Sequence, residues 1–295
     1  MADTVLLFGD TGMLGQAIRK KLSDADYRVL GVSRTSADYR IDMKDELSIE
    51  NSFNKIKPDI VINAAAIVSI DYCEEHPGEA YLINGRAPGV MVEQSRKYGS
   101  YFVQISTDHY YCGDKDLKHN EHSQVRLVNE YARSKYVGEC LAQTYEKSLV
   151  IRTNVVGFRC RENKTFVEWI IDCVSDKNKM TLFNDFYTSS MNSSDFAIVL
   201  RDLLKNRPTG ILNVASSEVV NKKEFIIELV KELFGIVPDY VEGSIHSASG
   251  VKRADSIGLD TTVVSSIVGY EMPDFKTTIK SIANDYYERL GKHAI

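Results

Sequence analysis

The chain has 295 residues, 43% of them hydrophobic, a formal net charge of −5 and a pI near 5.8. This is an ordinary globular composition, and an acidic balance without a basic stripe argues against nucleic acid or an anionic membrane as the main partner. No apolar run approaches the roughly 18 residues of a membrane span, and the chain reads straight into a strand with no basic n-region or cleavage site, so the expected place is the cytoplasm.

Residues 5–8 form a short apolar strand. A glycine turn follows, and residues 14–22 have a helical period with basic residues outward. Residues 27–32 read as a second strand, and Ile41 can carry a short third one. Residues 46–56 read as a helix, stopped by Lys57-Pro58. Residues 59–67 are the continuous apolar run of a doubly covered parallel strand. A helix over 79–98 ends at Gly99, a buried strand covers 101–106, a long helix 130–146 and a strand 149–155. Beyond Gly157 the pattern loosens, with helices expected at 166–176, 194–204 and 222–234, a strand at 211–214 and a mixed tail from Pro238.

Regular alternation of strand and helix is the signature of an open parallel sheet. Right-handed crossovers make it doubly wound, an α/β dinucleotide-binding architecture with ligands at the carboxyl ends of the strands. The expected division is a sheet domain over 1–158 and a smaller lobe over 159–295 that returns a strand near 211–214 to the sheet. Cys73, Cys112, Cys140, Cys160 and Cys173 are scattered and odd in number, which points to reduced thiols. His119-Asn-Glu-His122 matches no zinc spacing, and no metal set is assigned.

Gly9-Asp-Thr-Gly12-Met-Leu-Gly15 stands between the first strand and its helix. There glycines permit a tight turn and close approach of the backbone to a pyrophosphate, whose charge a helix N-terminus favours. After the second strand, where an acidic residue would hold the ribose of NAD, the chain carries Ser33-Arg34. A guanidinium can grip a 2′-phosphate bidentately, so NADP(H) is expected over NAD(H), with Asp42 placed for the adenine amino group.

Ser106-Thr107-Asp108 follows a buried strand, which puts Thr107 at the carboxyl edge of the sheet. Tyr131 and Lys135 share one helix face at i, i+4. A neighbouring ammonium favours the phenolate and lowers the phenol's pKa. Thr107 would donate to a carbonyl oxygen, and Tyr131 would deliver the proton. Tyr111 and Lys115 have the same spacing but fall in a Gly/Asp-containing stretch without a helix to align them.

These residues resemble an extended short-chain dehydrogenase/reductase, and within that superfamily the dTDP-4-dehydrorhamnose reductase family. The similarity runs over nearly the whole chain. It includes the glycine turn, Asn63-Ala-Ala-Ala66, Asp71-Tyr-Cys-Glu74 with Pro77, Asn84, Ser106-Thr107-Asp108, Tyr131 with Lys135 and Gly138-Glu139, and Arg152-Thr153-Asn154. A late Lys252-Arg253-Ala254-Asp255-Ser256-Ile257-Gly258-Leu259-Asp260 is similar to the family's Arg-Pro-x-x-Ser-x-Leu-Asp.

The resemblance implies a reductase of a 4-keto-6-deoxy nucleotide sugar with Thr107, Tyr131 and Lys135 as its triad. It implies a cofactor site of Gly9, Thr11, Gly12, Met13, Leu14, Gly15, Ser33, Arg34, Asp42, Met43, Ala64, Ala65, Ala66, Asn84 and Lys135. It implies a substrate site of Val68, Ser106, Asp108, Asn154, Thr188, Ser189 and Arg253, and it is compatible with a homodimer.

The chain departs from the family on the substrate side. His109-Tyr110-Tyr111 follows the Asp in place of Tyr-Val-Phe. Asn154-Val155-Val156 stands where a Trp is frequent, and Ala254 replaces the proline of the late pair. Phe186-Tyr187-Thr188-Ser189-Ser190-Met191 replaces Gln-x-Gly-x-Pro-Thr. His109 also stands where a 4,6-dehydratase would carry Glu, which argues against dehydration. An epimerase shares the same frame. So does a non-enzymatic binding subunit resembling the regulatory β subunit of methionine adenosyltransferase.

Overall fold

The computed structural model describes residues 2–35, 38–159, 164–247 and 250–291, and Cys160 lies outside them. Six strands follow one another in the first half of the chain: β1 (Thr4–Phe8), β2 (Arg28–Ser33), β3 (Tyr39–Arg40), β4 (Ile60–Asn63), β5 (Tyr101–Ile105) and β6 (Ser148–Thr153). With Gly210–Val214 they make one seven-stranded sheet in the order β3-β2-β1-β4-β5-β6 and then the late strand. β1 pairs in parallel with both β2 and β4, Val5 lying opposite Val29 on one side and Ile60 on the other. The chain thus reverses its direction of travel across the sheet at β1, the topological switch point of a doubly wound fold.

Helices cover the sheet, so β4, β5 and β6 are buried at every residue and read as apolar runs with no alternation. α1 (Met13–Ser23) follows β1, and α2 (Glu46–Ile56) precedes β4. Asp45 caps α2 through the Ser48 N–H, and the left-handed Lys57 before Pro58 ends it. Ile49 and Phe53 of α2 pack with Val90 and Met91 onto Leu6, Phe8, Val61, Phe102 and Val150 of the sheet.

The apolar run at 59–67 yields a strand only as far as Asn63. Its side chain accepts from the Ala65 N–H at 3.1 Å, a local turn that takes the backbone out of the ladder. The helix expected over 79–98 is broken into Pro77–Ala80, a wide π turn at Tyr81–Arg86 and Ala87–Tyr98. Pro88 has no N–H to donate to the Asn84 carbonyl, and Ala87 donates instead to Leu82, five residues back.

The chain forms two compact units, one of residues 1–107, 127–153 and 197–212, the other of 108–126, 154–196 and 213–295. No single cut near 158 describes this division. In the second unit Phe166–Ser175, Lys222–Phe234 and Phe275–Arg289 gather around Val156, Leu182 and Phe225. The last of these helices comes from the tail expected to be mixed. It is capped by Asp274 and buries Ile279 and Ile282. A short helix, Ile70–Glu75, is likewise unforeseen from sequence and is capped by Ser69.

Helix Glu130–Ala142 packs so tightly on the π turn that a Cβ at Gly138 would lie 2.2 Å from the Asn84 carbonyl oxygen, a backbone atom that cannot rotate away. Gly138→Ala is expected to destabilise the protein by about 1–3 kcal/mol, the usual cost of overpacking. Gly78→Ala, where a Cβ meets nothing within 4 Å, should not. Urea unfolding midpoints of the two variants check the difference.

Candidate active site

The first unit brings the sequence motifs to one edge of its sheet. Gly9–Gly15 leave β1, Ser33 ends β2, Asp42 and Met43 follow β3, Ala64–Ala66 follow β4 and Thr107 follows β5. Parallel strands put all these carboxyl ends together.

Gly9 is left-handed at φ +83°, and a Cβ on Gly15 would lie 2.0 Å from the Gly9 carbonyl oxygen, so turn and helix meet backbone to backbone. Gly12 precedes α1 in extended conformation and supplies no side-chain cap. The first N–H groups of α1 are therefore left for an anion. These features fit a dinucleotide pyrophosphate.

Ser33 accepts from the Thr35 N–H at 3.1 Å, and Arg34 is exposed beyond it. An acidic residue does fold back to β2, which the sequence did not reveal. Asp38 accepts from the Gly31 N–H at 2.9 Å and from Arg19 at 2.5 Å, so its carboxylate is already engaged. Asp42 accepts from the Lys44 N–H at 3.0 Å. Asn84 divides its amide between the loop after β4 and helix Glu130–Ala142: Oδ1 accepts from the Ile67 N–H at 2.8 Å, while Nδ2 donates to Ile67 O at 3.0 Å and to Ser134 at 3.1 Å. It joins the loop at Ile67 to the helix of Tyr131. Val68, beyond that stretch, is 70% exposed.

That helix, Glu130–Ala142, is anchored at its start. Asn129 caps it through the Ala132 N–H at 2.8 Å, and Glu74 accepts from the Glu130 N–H at 2.8 Å. Tyr131 and Lys135 follow one turn apart, both buried, and Thr107 is buried too. Lys135 donates to the Ile105 carbonyl at 2.7 Å, two residues before Thr107. Burial pushes its ammonium down to about 8, against the opposing charge of Glu139. The sequence reading named the group behind it but gave it no role. Glu139 is wholly buried, is paired with Arg152, and accepts from the Ser106 hydroxyl at 2.9 Å. Its signal was a carboxylate one turn after Lys135.

The second unit assembles a polar chain of its own. Asn154 donates to Asp108 at 2.7 Å, Ser190 donates to Asn154 at 2.8 Å, and Thr188 lies 3.0 Å from Ser190. Ser189 accepts from the Leu259 N–H at 3.0 Å. Thr188 and Ser189 are fully buried.

His109 stands 3.9 Å from Asp108. Burial, with the charges of Lys222 and Arg253, pushes its imidazole down to about 4, so it is neutral at pH 7 and the contact is no ion pair. Lys222, also missed from sequence, sets its ammonium 4.3 Å from the Phe166 ring and 5.6 Å from those of Phe186 and Phe225. Desolvation pushes it down to about 8, partly offset by Asp108. Arg253 is exposed.

Tyr111 is buried and stacked on His119 at 4.0 Å, and Lys115 lies in a stretch without helix. His119 is engaged by Gly258 O at 3.0 Å and Asp114 at 3.3 Å. Among the described residues no three His, Cys, Asp or Glu side chains are grouped to hold a metal, and no helix is long and apolar enough to cross a membrane. Cys73, Cys112, Cys140 and Cys173 are free thiols.

The family model described as RmlD substrate binding domain matches residues 3–288. The chain belongs to that family. It is 31% identical over 229 residues to the spore coat polysaccharide biosynthesis protein SpsK of Bacillus subtilis (strain 168), covering 77% of this chain and 78% of that protein. It is 27% identical over 296 residues to a dTDP-4-dehydrorhamnose reductase of Aggregatibacter actinomycetemcomitans, covering 94% and 97%. Its fold matches the dTDP-4-dehydrorhamnose reductase of Bacillus anthracis str. Ames, solved in complex with NADP, with a TM-score of 0.86 at 20% identity, covering 96% of this chain and 99% of that one.

Two lysines with depressed folded-state values have a consequence for stability. Between about 8 and the ordinary 10.5 the unfolded chain binds more protons than the folded one at Lys135 and Lys222. Unfolding free energy therefore rises with pH in that window through these groups, and their penalty is complete below it. The native protein should gain on Lys222→Met as pH rises from 7 to 10, as read from urea unfolding at each pH.

Proposed function

We propose that this protein reduces the ketone of a 4-keto-6-deoxy nucleotide sugar, with Tyr131 as the proton donor. The chain is an NAD(P)-dependent oxidoreductase of the short-chain dehydrogenase/reductase type. The observation that carries the finer reading is the placement of Tyr131 and Lys135. They lie one helical turn apart and buried, with Lys135 bound to the strand end that leads into Thr107.

The uncapped N-terminus of α1 holds the cofactor pyrophosphate. Arg34 takes the 2′-phosphate, which favours NADP(H), and Asp42 faces the adenine. When bound, the nicotinamide supplies a hydride to the ketone carbon. Thr107 donates a hydrogen bond to the ketone oxygen as negative charge grows there. Tyr131 gives that oxygen its proton. Lys135 keeps one N–H on Ile105 and turns its others to the cofactor ribose and the phenol, whose acidity its charge raises. Asp108, Asn154 and Arg253 receive the sugar nucleotide, Arg253 offering its fork to the diphosphate.

Tyr131→Phe is expected to leave NADPH binding intact and lower turnover ~10²–10⁴-fold, the range for loss of a general acid. NADPH oxidation against a panel of keto-sugar nucleotides measures it. Tyr111→Phe is the control and should keep most activity. A dead Tyr111 variant beside an active Tyr131 variant would reverse the assignment.

Arg34→Ala should remove most of a preference for NADPH over NADH, because a hydrogen bond to a charged group contributes ~1.5–3 kcal/mol. Titration of both cofactors checks this. Equal affinities in the native protein would end the NADP reading.

A further inference from the structure

Glu139 is 0% exposed and Arg152 3%. The guanidinium engages both carboxylate oxygens, Nε at 3.2 and 3.3 Å and Nη2 more closely. A buried ion pair is a poor source of net stability, since desolvation offsets much of the attraction and apolar groups of similar volume do as well.

This pair has a third member. The Ser106 hydroxyl donates to Glu139 at 2.9 Å. Three chain segments are thereby joined: the end of β5 through Ser106, β6 through Arg152, and the helix of Tyr131 through Glu139. The Ser106 N–H also donates at 2.7 Å to the carbonyl of Ile151, which with Ile105 makes the last pair of β5 and β6. Lys135 holds the carbonyl of Ile105 from the same helix. The helix thus grips two consecutive residues of the strand end, and Thr107 is the next residue.

We propose that Ser106, clamped by Glu139, is a positioning residue that fixes where Thr107 presents its hydroxyl, and not a ligand of the substrate. The proposal rests on the reading of Thr107 as donor to the ketone oxygen. Ser106→Ala cuts the tether and leaves the Glu139–Arg152 pair in place. Turnover should fall roughly 10–100-fold, as for a small misplacement of a catalytic group, while KM for the nucleotide sugar and NADPH affinity stay within about twofold. Ser106→Thr, which keeps the hydroxyl, should recover most of the loss.

The decisive measurement is a double-mutant cycle on turnover with Thr107→Val. A residue acting through Thr107 costs nothing further once that hydroxyl is gone, so the double variant should match Thr107→Val alone. Additive losses, or a rise in KM as the main effect of Ser106→Ala, would overturn the positioning role while leaving Thr107 in place. Full activity of Thr107→Val would overturn the reading of Thr107 and this proposal with it. Should Ser106→Ala fail to fold, Ser106→Cys, which keeps the volume with a weak donor, takes its place in the cycle.

Discussion

A buried ammonium must be held, and the way Lys135 is held organises the first unit. Its hydrogen bond to the Ile105 carbonyl fastens helix Glu130–Ala142 to the end of β5. That carbonyl also accepts from the Gln104 side chain at 3.1 Å. One side chain therefore sets the helix, with Tyr131 a turn earlier, against the strand end that leads into Thr107. Desolvation lowers the ammonium to about 8, and the negative charge of Glu139 one turn on opposes the shift. The proposed proton donor and the residue proposed to tune it thus share a stiff element, more precise than a loop could be.

The far side of the same helix depends on an irregularity. The π turn at Tyr81–Arg86 presents Asn84 so that its amide clasps Ile67 and reaches Ser134. The missing N–H of Pro88 and the missing side chain of Gly138 act together. One prevents a regular turn at Asn84, and the other lets the helix come close to the carbonyl left there. Single π turns inside helices are frequent at functional sites.

The second unit is tuned by charge. His109 is kept neutral by burial and two neighbouring cations, and Lys222 sits among aromatic rings with its charge disfavoured. His109 lies in one of the stretches where the chain departs from the family pattern, and Lys222 is 5.6 Å from the ring of Phe186 in the other. Thr107, Tyr131 and Lys135 all lie in the first unit, outside those stretches.

Local pattern was enough for much of the protein. The glycine turn, the buried strands, α2 to the residue, and Tyr131 with Lys135 on one helix face all rest on short-range steric rules and on burial that repeats with the helical or strand period. The continuous apolar runs sufficed to declare a doubly covered parallel sheet, and polarity of that sheet then put the motifs on one edge. Tertiary contacts decided the rest. The π turn required a proline to meet a glycine about fifty residues away, and the end of β4 at Asn63 required a side chain to compete with the ladder. The helix Phe275–Arg289 required a core for Ile279 and Ile282 to enter. Asp38, Glu139, Arg152 and Lys222 are ordinary charged residues in sequence. Only the fold brings each to its partner or its aromatic cage, because what distinguishes them is burial, and burial of a polar group is settled by distant parts of the chain.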